Sequence, residues 1–313
     1  MPFLTLGCMN FGARTPEDES RRIITRALDA GLRVLDTANA YNDGESEKVV
    51  GRALRELPPS LRREVQVHTK VGFDQVGGRP EGLSPAAIRR AVEGSLERLG
   101  VERIDVYYLH VPDRSTPIEE TLGAMAELHR AGKIAELAVS NYGSWEILEM
   151  FGICERVGAP RPRISQVIYN VLIRQIEIEY LRFAARYGVH TTVYNPLAGG
   201  LLGRNLDPAQ PAPAGSRFAT NALYTKRYWT NAMHHAAGSL RQAADAHGLT
   251  TVELAYGWVR TRPGVDSVLV GPGSLAHLDA ALAAWEKPMP AELLAAADAV
   301  YDDLTGTNAR YAR

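Results

Sequence analysis

The amino-acid sequence predicts an α/β protein, a (β/α)8 barrel that forms one domain over residues 1–313. Short runs rich in apolar and β-branched residues alternate with longer segments of helical period to the end of the chain, which indicates parallel strands joined by crossover helices. Eight such units in 313 residues suit a closed barrel. The rival is a doubly wound open sheet, but the glycine-rich turn typical of its first strand does not follow Leu6.

The eight predicted strands are residues 3–6, 33–36, 65–70, 104–110, 134–140, 164–168, 190–194 and 267–270. A helix follows each of three Ser/Thr-Pro pairs, because proline suits the first turn of a helix; the pairs begin at Thr15, Ser84 and Thr116. Gly31 and Gly100 predict helix ends.

One long segment, residues 197–229, lacks the period of either a strand or a helix. It contains AGGLLGR, then PAQPAPAGS, then RFATNALYTKRYW. Loops of this length in a compact domain are typical of lids and binding loops. The sequence therefore predicts an irregular loop after the seventh strand that covers a ligand.

Composition restricts the class of partner. The charge is nearly balanced, with 35 basic and 36 acidic residues, so the chain lacks the global field that would attract nucleic acid or a membrane surface. Cys8 and Cys154 lie far apart and outside any metal-ligand spacing, so we expect neither a disulfide scaffold nor a metal. Without a signal peptide or an apolar run of about 18 residues, the sequence predicts a cytoplasmic protein that acts on a small molecule.

Polar residues recur where the predicted strands end, which is where barrels of this kind place their active sites. These residues are Asp36, Lys70, His110, Ser140, Asn141 and Gln166, with Tyr41 in the loop just after Asp36. Each residue alone has an ordinary explanation as a cap, a turn former or a structural side chain. Their coincidence on one rim predicts a functional site.

Four of these residues would together donate a proton to a carbonyl oxygen, namely Asp36, Tyr41, Lys70 and His110. A phenol has a pKa near about 10 and is a weak acid at neutral pH. The ammonium of Lys70 would lower that pKa by roughly 1 to 3 units, and Asp36 would keep the ammonium charged. His110 would orient the substrate oxygen. Since no side chain delivers hydride, a nicotinamide is needed.

The stretches LDTANAYNDGESEKVVGRAL, HTK and YYLH resemble the aldo-keto reductases, over nearly the whole chain. Further segments, from TPIEETLGAMAELHRAGKIAELAVSNY to the final RYAR, are similar to the aflatoxin-aldehyde and succinic-semialdehyde reductase branch. The resemblance implies NADPH-dependent reduction of an aldehyde or ketone, with Tyr41 as proton donor and Asp36, Lys70 and His110 completing a catalytic tetrad.

The resemblance also implies a cofactor site. Ser140, Asn141 and Gln166 would hold the nicotinamide carboxamide, and Tyr194 would stack on the ring. Further contacts are expected from Cys8, Met9, Asp36, Asn195, Pro196, Leu197, Gly199, Leu201, Arg204, Arg227, Gly271, Gly273, Ser274 and His277. The chain departs from the family at Arg204, where a lysine is usual, and at His277 and Ala281, where the branch has Gln and Asn.

For substrate, the resemblance adds Tyr224, Trp229 and the C-terminal Arg313 to Tyr41 and His110, and an arginine would suit a carboxylate-bearing aldehyde. Three alternatives stay open. One is a keto-sugar reductase of a biosynthetic pathway, and another is a regulatory subunit that binds NADPH without catalysis, similar to potassium-channel β subunits. The third is an aldolase-like barrel with a Schiff base on Lys70. The branch commonly forms dimers, so the resemblance predicts a homodimer.

Overall fold

The computed structural model of the protein describes residues 1–73, 75, 76 and 79–306, without the side chains of 75, 76 and 79. Eight parallel strands close into a barrel in the order β1-β2-β3-β6-β7-β8-β9-β10. The strands are β1 (Phe3–Gly7), β2 (Val34–Asp36), β3 (Gln66–Val71), β4 (Gln75–Val76), β5 (Arg79–Pro80), β6 (Ile104–Leu109), β7 (Ile134–Ser140), β8 (Ile164–Ile168), β9 (His190–Tyr194) and β10 (Ser267–Val270). The predicted barrel is confirmed, and each of its eight predicted strands lies within one residue of its predicted bounds. The sequence did not predict β4 and β5, which pair as an antiparallel hairpin.

Helices alternate with the barrel strands and surround them. They are α1 (Glu17–Asp29), α2 (Glu45–Glu56), α3 (Pro59–Arg62), α4 (Pro85–Leu99), α5 (Ile118–Arg130), α6 (Ser144–Val157), α7 (Tyr180–Tyr187), α8 (Arg217–Thr220), α9 (Ala222–Tyr228), α10 (Asn231–Ala246), α11 (Thr251–Arg260), α12 (Leu275–Glu286) and α13 (Ala291–Thr305), with 3-10 turns over Gln175–Glu177 and Ala198–Gly203. None in the described part of the chain is long and apolar enough to span a membrane.

The predicted helix boundaries have identifiable caps. Ser84 accepts a hydrogen bond from the backbone amide of Ala87, and Pro85 is the first helical residue of α4, as predicted. Gly100 ends that helix with a positive φ of 65°. Pro16 and Pro117 differ, because each occupies the N-cap position rather than the first helical position.

The strand register determines which side chains face the barrel interior. Lys70 on β3 is paired with Tyr108 on β6, and Gln166 on β8 with Thr192 on β9. Register partners on parallel strands project to the same face. The alternate residues, among them Leu6, Leu35, Val67 and Leu109, pack outward against the helices in one large apolar core.

The prediction of an irregular run over residues 197–229 is wrong for RFATNALYTKRYW, which forms α8 and α9. Two polar caps explain the difference. Ser216 accepts a hydrogen bond from the Ala219 amide, and Asn221 accepts from the amides of Leu223 and Tyr224. Capping of this kind starts short helices even where the hydrophobic period is weak.

Candidate active site

A cavity of about 850 Å³ opens at the carboxyl ends of the barrel strands. Its wall contains most of the residues predicted from the sequence: Cys8, Met9, Asp36, Tyr41, His110, Ser140, Asn141, Gln166, Tyr194, Asn195, Pro196, Leu197, Gly199, Arg204, Tyr224, Arg227, Gly271, Gly273 and His277. Lys70 is fully buried behind this wall. Among the described residues, no cluster of His, Cys, Asp and Glu could hold a metal ion.

Lys70 and Asp36 form a buried ion pair at the base of the cavity. The Lys70 ammonium donates to one carboxylate oxygen of Asp36, and also to the backbone oxygen of Thr37 at 2.7 Å. The second oxygen of Asp36 accepts from the Gln166 amide at 2.9 Å. The Lys70 nitrogen lies 5.3 Å from the centre of the Tyr41 ring. The carboxylate therefore compensates the buried ammonium, as the sequence predicted.

His110 lies between two aromatic rings at the cavity wall. Its ring centre is 5.7 Å from that of Tyr41, nearly perpendicular to it, and 5.1 Å from that of Phe73. The sequence reasoning did not identify Phe73, which is 46% exposed. Burial, and then the charge of Lys70, hold the pKa of His110 well below 6.5. A neutral imidazole carries one N–H, and the buried Nδ1 has no hydrogen-bond partner among the described residues.

The pKa of Tyr41 departs from the prediction. Burial, and secondly the negative charge of Asp36, raise this pKa well above 10. Lys70 does not make the phenol acidic here, because burial and the Asp36 carboxylate, which is hydrogen-bonded to the ammonium, outweigh the effect of the Lys70 charge. The phenol therefore holds its proton throughout the neutral range, as a proton donor must.

The carboxyl ends of β7, β8 and β9 carry a connected polar rim. The Ser140 hydroxyl donates to the Gln166 backbone oxygen at 2.9 Å, and the Asn141 amide donates to Ser140 at 3.0 Å and to the His110 backbone oxygen at 3.1 Å. The Tyr194 hydroxyl donates to the Asn141 side-chain oxygen at 2.7 Å. Asn141 adopts a left-handed φ of 64°, which asparagine tolerates better than most residues. This rim can present both donors and acceptors to a planar amide.

Three guanidinium groups meet on another part of the wall, and the sequence reasoning identified only Arg204. Partial burial, and then the charges of Arg217 and Arg204, lower the pKa of Arg14, so the three groups repel one another. Asp36, already paired, is the only carboxylate among the described lining residues. The uncompensated charge is suited to a polyanion. Arg14 lies in the loop after β1, so its place after a barrel strand was the available signal.

Arg227 and Tyr194 lie together in the cavity wall. Burial raises the pKa of Tyr194 to about 12, opposed by the charge and hydrogen bond of Arg227. Arg227, predicted as a cofactor contact, lines the cavity beside the rim that contains Asn141. The Tyr224 hydroxyl donates to Asn195 at 3.1 Å, and its ring covers Gly199, where a Cβ would come within 2.6 Å of it.

Besides Lys70, three of the predicted residues that the structure describes are not part of the wall, namely Leu201, Ser274 and Trp229. Leu201 is buried in the apolar core. Ser274 caps α12 by accepting from the His277 amide at 3.3 Å, although Gly271, Gly273 and His277 do line the cavity. Trp229 packs between Phe218 and His234, with ring centres 5.1 and 4.7 Å away. Ala281 is buried, and Arg313 lies outside the described residues.

The sequence profile of the aldo/keto reductase family matches residues 3–302. The human protein aldo-keto reductase family 7 member A3 is 35% identical over 302 residues, which cover 91% of this chain and 89% of that protein. Aflatoxin B1 aldehyde reductase member 2 of Mus musculus is 35% identical, covering 91% of this chain and 80% of its own. A probable voltage-gated potassium channel subunit beta of Arabidopsis thaliana is 31% identical, covering 84% of this chain and 80% of its own.

Proposed function

The chain belongs to the aldo/keto reductase family, and from that premise we propose that it reduces an aldehyde or ketone to an alcohol with NADPH, using Tyr41 as the proton donor. One observation carries the proposal. A single cavity joins Tyr41 and His110, backed by the Lys70–Asp36 pair, to a group of uncompensated guanidiniums. The first set suits a carbonyl oxygen, and the second suits a phosphorylated dinucleotide.

The residues present fit NADPH. The cofactor carries a pyrophosphate and a separate phosphate monoester, and Arg14, Arg204 and Arg217 would hold these groups. The rim that includes Asn141 would hold the carboxamide, with the ring against Tyr194. The volume of about 850 Å³ lies within the usual range for cofactor sites. When bound, NADPH would supply the hydride.

The protein's own residues supply the proton and the electrostatic support. Neutral His110 donates its N–H to the carbonyl oxygen, and the Tyr41 hydroxyl donates its proton to the same oxygen. The high pKa of Tyr41 does not prevent this transfer, because an alkoxide is a stronger base than a phenolate. Lys70, held charged by Asp36, stabilises the resulting phenolate. Such general-acid catalysis contributes about 10² to 10⁴ in rate.

A carboxylate-bearing aldehyde is the substrate class that Arg227 favours. This guanidinium lies beside Tyr194, at the rim proposed for the nicotinamide, where a substrate would meet the ring. Arginine binds a carboxylate in a bidentate geometry. Arg313 would add a second cation if the resemblance holds there. A mouse and a human relative are named as aflatoxin B1 aldehyde reductases, so larger aldehydes are the competing substrate class.

The test is loss of NADPH absorbance with carboxylated aldehydes, aromatic aldehydes and nucleotide keto-sugars. We expect turnover, highest for the carboxylated aldehydes, and a loss of about 10² or more in Tyr41→Phe. Tyr187→Phe, at an exposed position on α7, is the matched control and should behave as the wild type. Full turnover by Tyr41→Phe would show that another group donates the proton.

Two measurements distinguish a regulatory subunit from a reductase. One is the same turnover assay, and the other is NADPH binding measured by the change in protein fluorescence. A potassium-channel-type subunit would bind NADPH without turning over any carbonyl in the panel. The relative from Arabidopsis thaliana is the observation that keeps this alternative in the comparison. Binding combined with turnover would support the reductase.

A further inference from the structure

The ammonium of Lys70 lies between two tyrosine rings, and only one of them has a place in the proposed reaction. Its nitrogen is 5.3 Å from the centre of the Tyr41 ring and 5.5 Å from that of the Tyr108 ring. We propose that Tyr108 is a positioning residue whose ring face keeps Lys70 charged and in place beneath Tyr41. The catalytic consequence of this inference rests on the proposed function, but the effect on the ammonium does not.

The barrel register imposes this arrangement. Lys70 and Tyr108 are direct partners on β3 and β6, so both side chains project into the barrel next to each other. Both are fully buried. The neighbouring Tyr107 is equally buried but belongs to the outer apolar core, because successive residues of a strand face opposite sides. Tyr108 is thus the β6 residue placed to meet the ammonium.

The hydrogen bonds of Lys70 leave room for such a contact. An ammonium has three N–H groups, and among the described residues two acceptors are hydrogen-bonded to it, Asp36 and the Thr37 backbone oxygen. Asp36 is shared with Gln166. A cation held over an aromatic face is stabilised most strongly when both groups are removed from water, as they are here.

The ring of Tyr108, rather than its hydroxyl, makes this contact. The buried hydroxyl has no partner at full hydrogen-bond geometry among the described residues, although Thr192 and Gln166 lie near enough to favour its ionised form slightly. Burial, and then Asp36, raise the pKa of Tyr108 well above 10. The ring therefore stays neutral, and its face keeps the negative potential that attracts a cation.

Apart from the Tyr41 ring, no other described group near Lys70 duplicates this effect. The titratable groups that face it are Asp36, Cys8, Tyr41, His68, Tyr108 and His110. Burial, followed by the charge of Lys70, lowers the pKa of His68 to about 3, so it is neutral at working pH. Cys8 also stays neutral, because burial raises its pKa. Among the described residues, Asp36 is thus the only compensating charge, and the two tyrosine rings supply the remaining stabilisation.

Three variants separate the ring from the hydroxyl and from general packing. Tyr108→Leu removes the aromatic face, Tyr108→Phe keeps it without the hydroxyl, and Tyr107→Leu makes the same change on the opposite side of the strand. If Tyr108→Leu does not fold, Tyr108→Met, whose longer and more flexible side chain adapts to the space of the ring, replaces it. The first readout is the ammonium signal of Lys70 in protein labelled with ¹⁵N-lysine. The chain has only five lysines, and Lys70→Met assigns the signal.

We expect the ammonium signal of Tyr108→Leu to vanish about one pH unit or more below the pH at which it vanishes in Tyr108→Phe and Tyr107→Leu. The second readout is kcat against pH. At the alkaline edge of wild-type activity, kcat of Tyr108→Leu should fall about tenfold with an unchanged KM for NADPH, and Tyr108→Phe should restore it.

The same signal behaviour in Tyr108→Leu and Tyr107→Leu would overturn the inference, whatever the activity. A wild-type protein without carbonyl turnover would instead refute the proposed function. In that case the spectroscopic comparison still decides whether the Tyr108 ring holds the ammonium.

Discussion

Replacement of Arg217 by methionine should weaken NADPH binding without unfolding the protein. The guanidinium donates to the Tyr224 hydroxyl at 3.2 Å, to Asn195 at 3.4 Å and to Asn10 at 3.5 Å. These are long bonds, so each contributes less to stability than the typical value of about 1 kcal/mol. A charge-assisted bond to phosphate contributes about 1.5 to 3 kcal/mol, which corresponds to a dissociation constant roughly 10 to 150 times higher.

Quenching of protein fluorescence by NADPH gives the dissociation constant, and thermal unfolding shows whether the fold is intact. Arg182→Met is the matched control, because Arg182 lies on α7 and contacts only the Ile178 backbone oxygen among the described hydrogen-bond acceptors. The wild-type protein should also lose affinity as salt increases, and the Arg217 variant should lose less. An unchanged dissociation constant in a folded Arg217→Met protein would refute the assignment of the arginine group to the cofactor phosphates.

Three further changes test other parts of the structure. Glu47→Gln removes a buried carboxylate that accepts from Thr69 at 2.5 Å and from Arg98 at 2.7 Å, so we expect a loss of about 3 kcal/mol and a thermal midpoint about 5 °C lower. His68→Asn should reduce acid sensitivity. The folded-state pKa of His68, about 3, lies below its unfolded value, so stability is lost as pH falls below about 6.5, by about 2 kcal/mol at pH 5. Arg227→Met should raise KM about tenfold for carboxylated aldehydes and leave uncharged aromatic aldehydes unaffected.

Each of these changes has a control and a contrary outcome. Glu64→Gln removes an exposed ion pair with Arg33 and should hardly alter the thermal midpoint. An equal fall in the midpoint for Glu64→Gln and Glu47→Gln would show that the buried contacts of Glu47 add no special stability. For His68, the comparison is the unfolding free energy at pH 7 and pH 5, and parallel losses in wild type and variant would contradict the buried neutral imidazole. For Arg227→Met, an equal rise in KM for all aldehydes would show that Arg227 does not bind the substrate carboxylate.

The barrel and the residues at its strand ends could be predicted from the sequence because both depend on local patterns. Alternating apolar runs and helical segments identified the strands, and the polar residues that close those strands necessarily meet on one rim. The predicted meeting of Asp36 with Lys70 and of Tyr41 with His110 needed only strand order and side-chain length. The family resemblance extended this set to the amide rim that contains Asn141.

Other features depended on contacts between segments far apart in the chain. Arg14 and Arg217 are separated by about 200 residues, and only the folding of the β9–α10 connection over the β1–α1 loop makes them neighbours. The two polar caps that begin α8 and α9 were present in the sequence but fell within a weak hydrophobic pattern.

The sequence by itself determined the barrel, the order of its strands and the chemical groups at their ends, because periodicity and strand-end position are properties of neighbouring residues. Only the tertiary structure decided how those groups behave. The pKa of Tyr41 depends on its burial and on its nearness to the Asp36 carboxylate, and the pairing of Lys70 with the Tyr108 ring depends on the register of two strands. Electrostatic energies vary with the separation of charges and with their solvent exposure, and neither quantity can be obtained from the sequence alone.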